Sequence, residues 1–149
     1  KAHPNAPHNK PIQRNETLKI NGPTFTCMGA DTSRDRKFRV EGVSYWRQEH
    51  IGEEDMENGW RNLREYENKV DFVLTHCINA TTTWFAFHMD IDEDCAKLEQ
   101  IEAKVQYKMW LFGHYHKDMF VADNKACLYN EIGYLDESSD ILFSLLPND

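Results

Sequence analysis

The chain contains no run of about 18 apolar residues, so no segment is long enough to cross a bilayer as a helix. It also lacks the charged-then-apolar opening of a signal peptide. No Cys-x-x-Cys pair occurs. Cys27, Cys77, Cys95 and Cys127 lie far apart, which excludes a zinc ribbon and a thioredoxin-type motif. Scattered in this way, they are expected to be small core residues of a protein in a reducing cytosol. A positive charge surplus is absent too. Seventeen basic residues against 25 acidic ones give a net charge of −8. Such a surface repels phosphate backbones, so direct nucleic-acid binding is not expected. It serves solubility, and it suits a basic partner protein, including one that normally holds nucleic acid. No internal repeat is visible.

What is present fits one compact domain. At 149 residues, 40% hydrophobic and 12% aromatic, the chain can bury roughly two-thirds of its unfolded surface. It opens on Lys1, not Met, which is read as processing, trimming or excision from something longer. Residues 1–15 are polar, carry Pro4, Pro7 and Pro11, and are expected to form an irregular N-terminal arm. Residues 16–149 are expected to form a single folded unit. Leu18, Ile20, Phe25 and Cys27 alternate across Asn21-Gly22-Pro23, a hairpin signal. Met56, Trp60, Leu63 and Glu67 recur at helical spacing between Glu53 and Glu67, after an acidic first turn. Val70–Thr75 and Met109–Phe112 are short apolar runs of buried-strand type. A second helix is predicted over Asp92–Tyr107, whereas Ala80–Phe87 has no clear period and is read as a loop or an edge strand. A hairpin about Asp123-Asn124-Lys125 and a last strand over Ile141–Leu146 complete an α+β layout, an antiparallel-rich mixed sheet with two main helices.

Both buried-strand runs lead into histidine, giving Leu74-Thr75-His76 and Gly113-His114-Tyr115-His116. Neutral imidazole binds zinc, manganese, iron or nickel. In extended chain, residues two apart point the same way, so His114 and His116 are expected to face one point, with Gly113 supplying a sharp turn. If the two strands are neighbours, His76 joins them at the same sheet edge. Three histidines leave at least one position of a tetrahedral ion. Asp31, Asp35, His88, Cys77, Cys27 and Glu49 are the candidates for it, and Asp35 is taken with His76, His114 and His116 as the metal set. The cofactor expected is one divalent ion, zinc ahead of manganese, iron or nickel. Cys77, next to His76, should face the opposite way and be a core thiol. His3, His8, His50 and His88 have no motif around them and are read as ordinary surface or loop residues.

Val70–His76 and Trp110–His116 resemble the last two motifs of calcineurin-like metallophosphoesterases. Met28–Arg36, Arg39 and Trp46–Glu49 resemble the segment that precedes those motifs in bacterial and phage members, and Lys117–Ile132 resembles the segment after them. The resemblance spans roughly residues 10 to 146 in the family's order and implies a two-sheet sandwich flanked by helices, of which residues 16–149 are the C-terminal half-domain. It implies that His76 and His114 belong to one metal and His116 to a second, and that a metal-bound hydroxide attacks a phosphoester. The family's early motifs, Asp-x-His, Gly-Asp-x-x-Asp and Gly-Asn-His-Asp/Glu, do not occur in this sequence. Without a bridging carboxylate two adjacent divalent ions repel, so this chain alone is not expected to assemble the two-metal centre.

Three roles are consistent with that pattern. The first is a non-catalytic metal-binding protein that acts on a partner, for instance a phage-encoded inhibitor of a host nuclease such as a CRISPR effector, placed in the bacterial cytoplasm. The second is the C-terminal fragment of an active phosphoesterase that needs its N-terminal half. The third is a single-metal hydrolase with His88, Asp35 or Glu49 as base. A half-sandwich is also expected to leave apolar strand surface that a second copy, or the N-terminal arm, covers.

Overall fold

The structure is a computed structural model that describes residues 15–29, 40–43, 50–131, 133–135 and 141–143. The predicted arm lies outside the described residues except at its last position, and so do Asp31, Asp35 and Glu49. The elements are β1 (Thr17–Lys19), β2 (Thr24–Met28), α1 (Glu53–Glu65), β3 (Lys69–Thr75), α2 (Ala80–Phe87), α3 (Glu93–Glu102), β4 (Gln106–Phe112), β5 (Met119–Ala122), β6 (Lys125–Cys127), β7 (Gly133–Leu135) and β8 (Ile141–Phe143). The fold is α+β. Six strands form one mixed sheet in the order β1-β2-β3-β4-β6-β5, and β7 pairs with β8 separately.

The middle of the main sheet is parallel. Strands β2, β3, β4 and β6 run side by side in one direction, while β1 and β5 close the two edges antiparallel. The antiparallel hairpins at both edges fall at the turn signals of the sequence. Crossovers through helices produce the parallel pairs β2–β3 and β3–β4, whereas β4 and β6 become parallel through the edge strand β5. The register sets Met28 beside Thr75, Thr75 beside Phe112 and Phe112 beside Cys127. Four strands therefore reach their carboxyl ends along one line, and His76 and Gly113 come next on it.

Burial on both faces explains the apolar runs. Adjacent Phe72 and Val73 point to opposite faces and both are fully buried. Phe72 stacks on Phe25 at 4.9 Å. Val73 belongs to the main core with Trp110, Leu63, Leu98 and Ile101. Helix α1 begins where Asp55 reaches back to accept from the Gly52 N–H at 2.9 Å. It packs closely on β2 at Gly59, where a Cβ would lie 3.1 Å from the Met28 methyl group.

Two boundaries differ from the sequence expectation. Helix α3 stops at Glu102, because Gln106 donates from its N–H to Asn68 O at 2.8 Å and enters the sheet against β3. Ala80–Phe87 is a helix. Its three threonines disfavour one intrinsically, but Asn79 caps it by accepting from Thr82 N–H at 2.9 Å. Glu99 of α3 accepts from both the N–H and the hydroxyl of Thr81, and Asn79 donates to Glu102. These contacts from a helix distant in sequence override local propensity. No described helix is long and apolar enough to cross a membrane.

Candidate metal centre

His76 directly follows β3 and His114 follows β4 by two residues. Their backbones are joined where Gly113 N–H donates to His76 O at 2.9 Å. Below them, Trp110 Nε1 donates to Thr75 Oγ1 at 2.8 Å, and Thr75 donates to Cys77 O. Trp110 is fully buried, so the strand end carrying His76 is tied to the core. The two imidazoles meet: His76 Nε2 and His114 Nδ1 are 3.0 Å apart, with the rings edge to face. His76 is exposed and His114 half-buried.

The loop does not turn as predicted. Gly113 does not take a positive φ, and a methyl group there would make only ordinary contacts, the nearest 3.5 Å away. The left-handed residues are His114, at φ 66°, and His116, at φ 52°. Histidine is among the side chains that enter this region more readily, at some cost in strain. The chain after β4 is thus not extended at these two histidines. His116 is exposed and its ring stacks on Tyr129 at 4.6 Å.

Of the residues expected to form the metal set, His76 and His114 come together, His116 stacks on Tyr129, and Asp35 lies outside the described residues. Among the described residues no group of three or more His, Cys, Asp or Glu side chains is gathered as a ligand set. Cys77 is a buried core thiol, as its place next to His76 predicts. A hydrogen bond with Cys95, together with burial, pushes its pKa up. Cys27 is half-buried on β2, its pKa raised by burial and by Glu16. His88 terminates α2 in a left-handed conformation.

The donor pair suits a divalent ion. Two nitrogens that share a tetrahedral ion at bonds of about 2.0–2.1 Å lie about 3.3 Å apart, close to the 3.0 Å found here. The site lies at the carboxyl edge of parallel strands, where loops are held by the sheet behind them.

Sequence reading missed two features. His50 Nδ1 lies 3.0 Å from Asp94 Oδ2, and Asp94 Oδ1 accepts from Ile51 N–H at 3.0 Å. This fully buried carboxylate ties the approach to α1 onto α3, and partners 44 residues apart leave no local signal. Beside the histidine pair, α2 and the loop to α3 enclose a cavity of about 390 Å³ that has His114 and Tyr115 in its wall. Tyr115 is held by stacking on Phe87 at 3.8 Å and by a 2.7 Å hydrogen bond with Thr83.

The chain matches no family model, no curated protein and no solved structure.

Proposed function

We propose that this chain carries the histidine half of a metallophosphoesterase-type metal site: it binds one divalent ion, zinc in the first place, and does not hydrolyse phosphoesters by itself. The observation that carries this is the His76–His114 pair, 3.0 Å apart at the ends of adjacent parallel strands. The family pattern supports the division of the histidines, since it gives His76 and His114 to one metal and His116 to the other. Asp35 is the further donor proposed for the ion. Bound there, the ion would act as a Lewis acid on a phosphoryl oxygen. His76 and His114 would hold it, and the bridging carboxylate of the family must come from outside this chain.

Zinc content after exhaustive dialysis, measured with turnover of an activated phosphodiester in added manganese, tests this. About one zinc per chain is expected for the wild type, at least a tenfold weaker site in His76→Ala and His114→Ala, and hydrolysis at background in all three. Zinc-free wild type, or hydrolysis by the wild type that disappears in His114→Ala, overturns it.

One observation favours a protein-binding role beside this. Trp84 is 52% and Phe85 72% exposed on neighbouring positions of α2. Apolar side chains of this size on an acidic surface suit the centre of an interface. If they serve one, Trp84→Ala with Phe85→Ser abolishes binding to a basic nuclease partner and leaves zinc content unchanged.

A further inference from the structure

Two of the four free cysteines meet in the core. Cys77 follows β3, and Cys95 lies in the first turn of α3. Both are buried members of the main core cluster, and their side chains are hydrogen-bonded to each other. The Thr83 hydroxyl ties the same two segments together. It lies 3.6 Å from Cys95 Sγ and donates at 3.3 Å to the carbonyl of Ile78, the residue after Cys77. Asp92 Oδ1 accepts from the Cys95 N–H at 2.8 Å and so fixes the start of α3. The two thiols differ in access. Cys95 lines the cavity beside His114, with Thr83 and Tyr115, and Cys77 does not. That cavity, of about 390 Å³, admits a small hydroperoxide, since a water molecule takes about 30 Å³ of liquid. The other two cysteines are placed differently. Cys127 donates to Gly113 O at 3.5 Å, and Cys27 stands on β2 beside the charge of Glu16.

We propose that Cys95 is a site of oxidation by small hydroperoxides that enter this cavity, and that Cys77 is the thiol that resolves the product. In the first step the Cys95 sulfur attacks the terminal oxygen of the hydroperoxide. The O–O bond breaks, the leaving oxygen departs as water or an alcohol with the thiol proton, and Cys95 becomes a sulfenic acid. In the second step the Cys77 sulfur attacks the Cys95 sulfur. The S–O bond breaks, the hydroxyl leaves as water with the Cys77 proton, and a disulfide forms. Two thiols thereby give two electrons to one peroxide. The disulfide would join the residue after His76 to α3, and a thiol reductant would reverse it. The site needs no metal and is independent of the function proposed above.

The test is thiol mapping of the full, reduced chain after an equimolar dose of hydrogen peroxide in metal-free buffer. The protein is then alkylated in denaturant and its peptides are weighed. The wild type is expected to lose two alkylatable thiols, those of Cys77 and Cys95, as one linked peptide that dithiothreitol separates. Cys27 and Cys127 should stay alkylatable. In Cys77→Ser the sulfenic acid has no partner, so dimedone should label Cys95. In Cys95→Ser dimedone should leave Cys77 unlabelled. Repeating the dose on wild type unfolded in urea should abolish the preference for this pair, which needs no variant to fold. Oxidation of Cys27 or Cys127 while Cys77 and Cys95 stay reduced overturns the proposal. So does dimedone on Cys77 in Cys95→Ser, or the same selectivity in urea, which would place it in the local sequence and not in the folded site.

Discussion

Strand β3 carries a titratable side chain near its amino end, and a second stands just past its carboxyl end; the two are treated differently. Near the amino end, Asp71 is saturated by scaffold: Lys108 reaches it at 2.8 Å, and the Thr24 N–H and hydroxyl each donate at 2.8 Å. The hydrogen bond from Lys108, then that from the Thr24 backbone, hold its pKa down at about 2. At the carboxyl end, His76 meets a second imidazole at 3.0 Å, in a loop with two left-handed histidines. One end locks three strands together, because Thr24, Asp71 and Lys108 come from β2, β3 and β4. The other presents two nitrogen bases to the same point. The Asp71 carboxylate is met by complementary charge and donors; the His76 imidazole is met by another imidazole.

The largest effect should come from the core that both ends share. Trp110→Ala is expected to cost about 3–5 kcal/mol, and it also removes the bond to Thr75 that steadies the strand leading to His76. Urea denaturation checks it, and a loss under about 1 kcal/mol would break the view that the parallel strands carry the stability.

The two ends should then separate by ligand. Zinc at about a hundred times its dissociation constant should stabilise the wild type by about 2.7 kcal/mol and His114→Ala hardly at all. Without metal the variant should melt close to the wild type, since both rings lie toward the surface.

Asp71 gives the amino end of β3 a pH response of its own. Its folded pKa of about 2 lies below the ordinary 3.8, so on acidification the unfolded chain takes up the proton first. Its contribution is complete above about pH 4 and is lost as pH falls through about 2. Asp71→Asn should cost about 1–3 kcal/mol at neutral pH and flatten the stability profile in that acid window.

The sheet edge that carries the histidines was legible in the sequence, while the Asp71 cluster and part of the loop were not, for definite reasons. The runs Val70–Thr75 and Met109–Phe112 announced strands because β3 is buried on both faces and β4 buries Trp110 and Phe112, and their histidine ends fell on one sheet edge as expected. The loop differs from expectation because the glycine is not its turning point. Backbone pairing of Gly113 with His76 O passes the left-handed positions to His114 and His116. Helix α2 was invisible because its support comes from Glu99 and Glu102 in α3. The His50–Asp94 pair joins segments with no common motif. Each miss is a tertiary contact overriding a local preference.

The smallest effect belongs to the loop. Gly113→Ala should change stability by less than about 1 kcal/mol and leave zinc binding intact, because the space and backbone angle at Gly113 accept a methyl group. A large loss, read by thermal melting, would return the turn to the glycine and weaken the case that the histidines carry the strain.

X-ray absorption at the zinc edge of the loaded chain tests the central claim most directly. The account predicts imidazole scattering that falls by about one ring in His76→Ala and in His114→Ala, with no such loss in His50→Ala. A zinc environment without imidazole, or one unchanged by both substitutions, would contradict it.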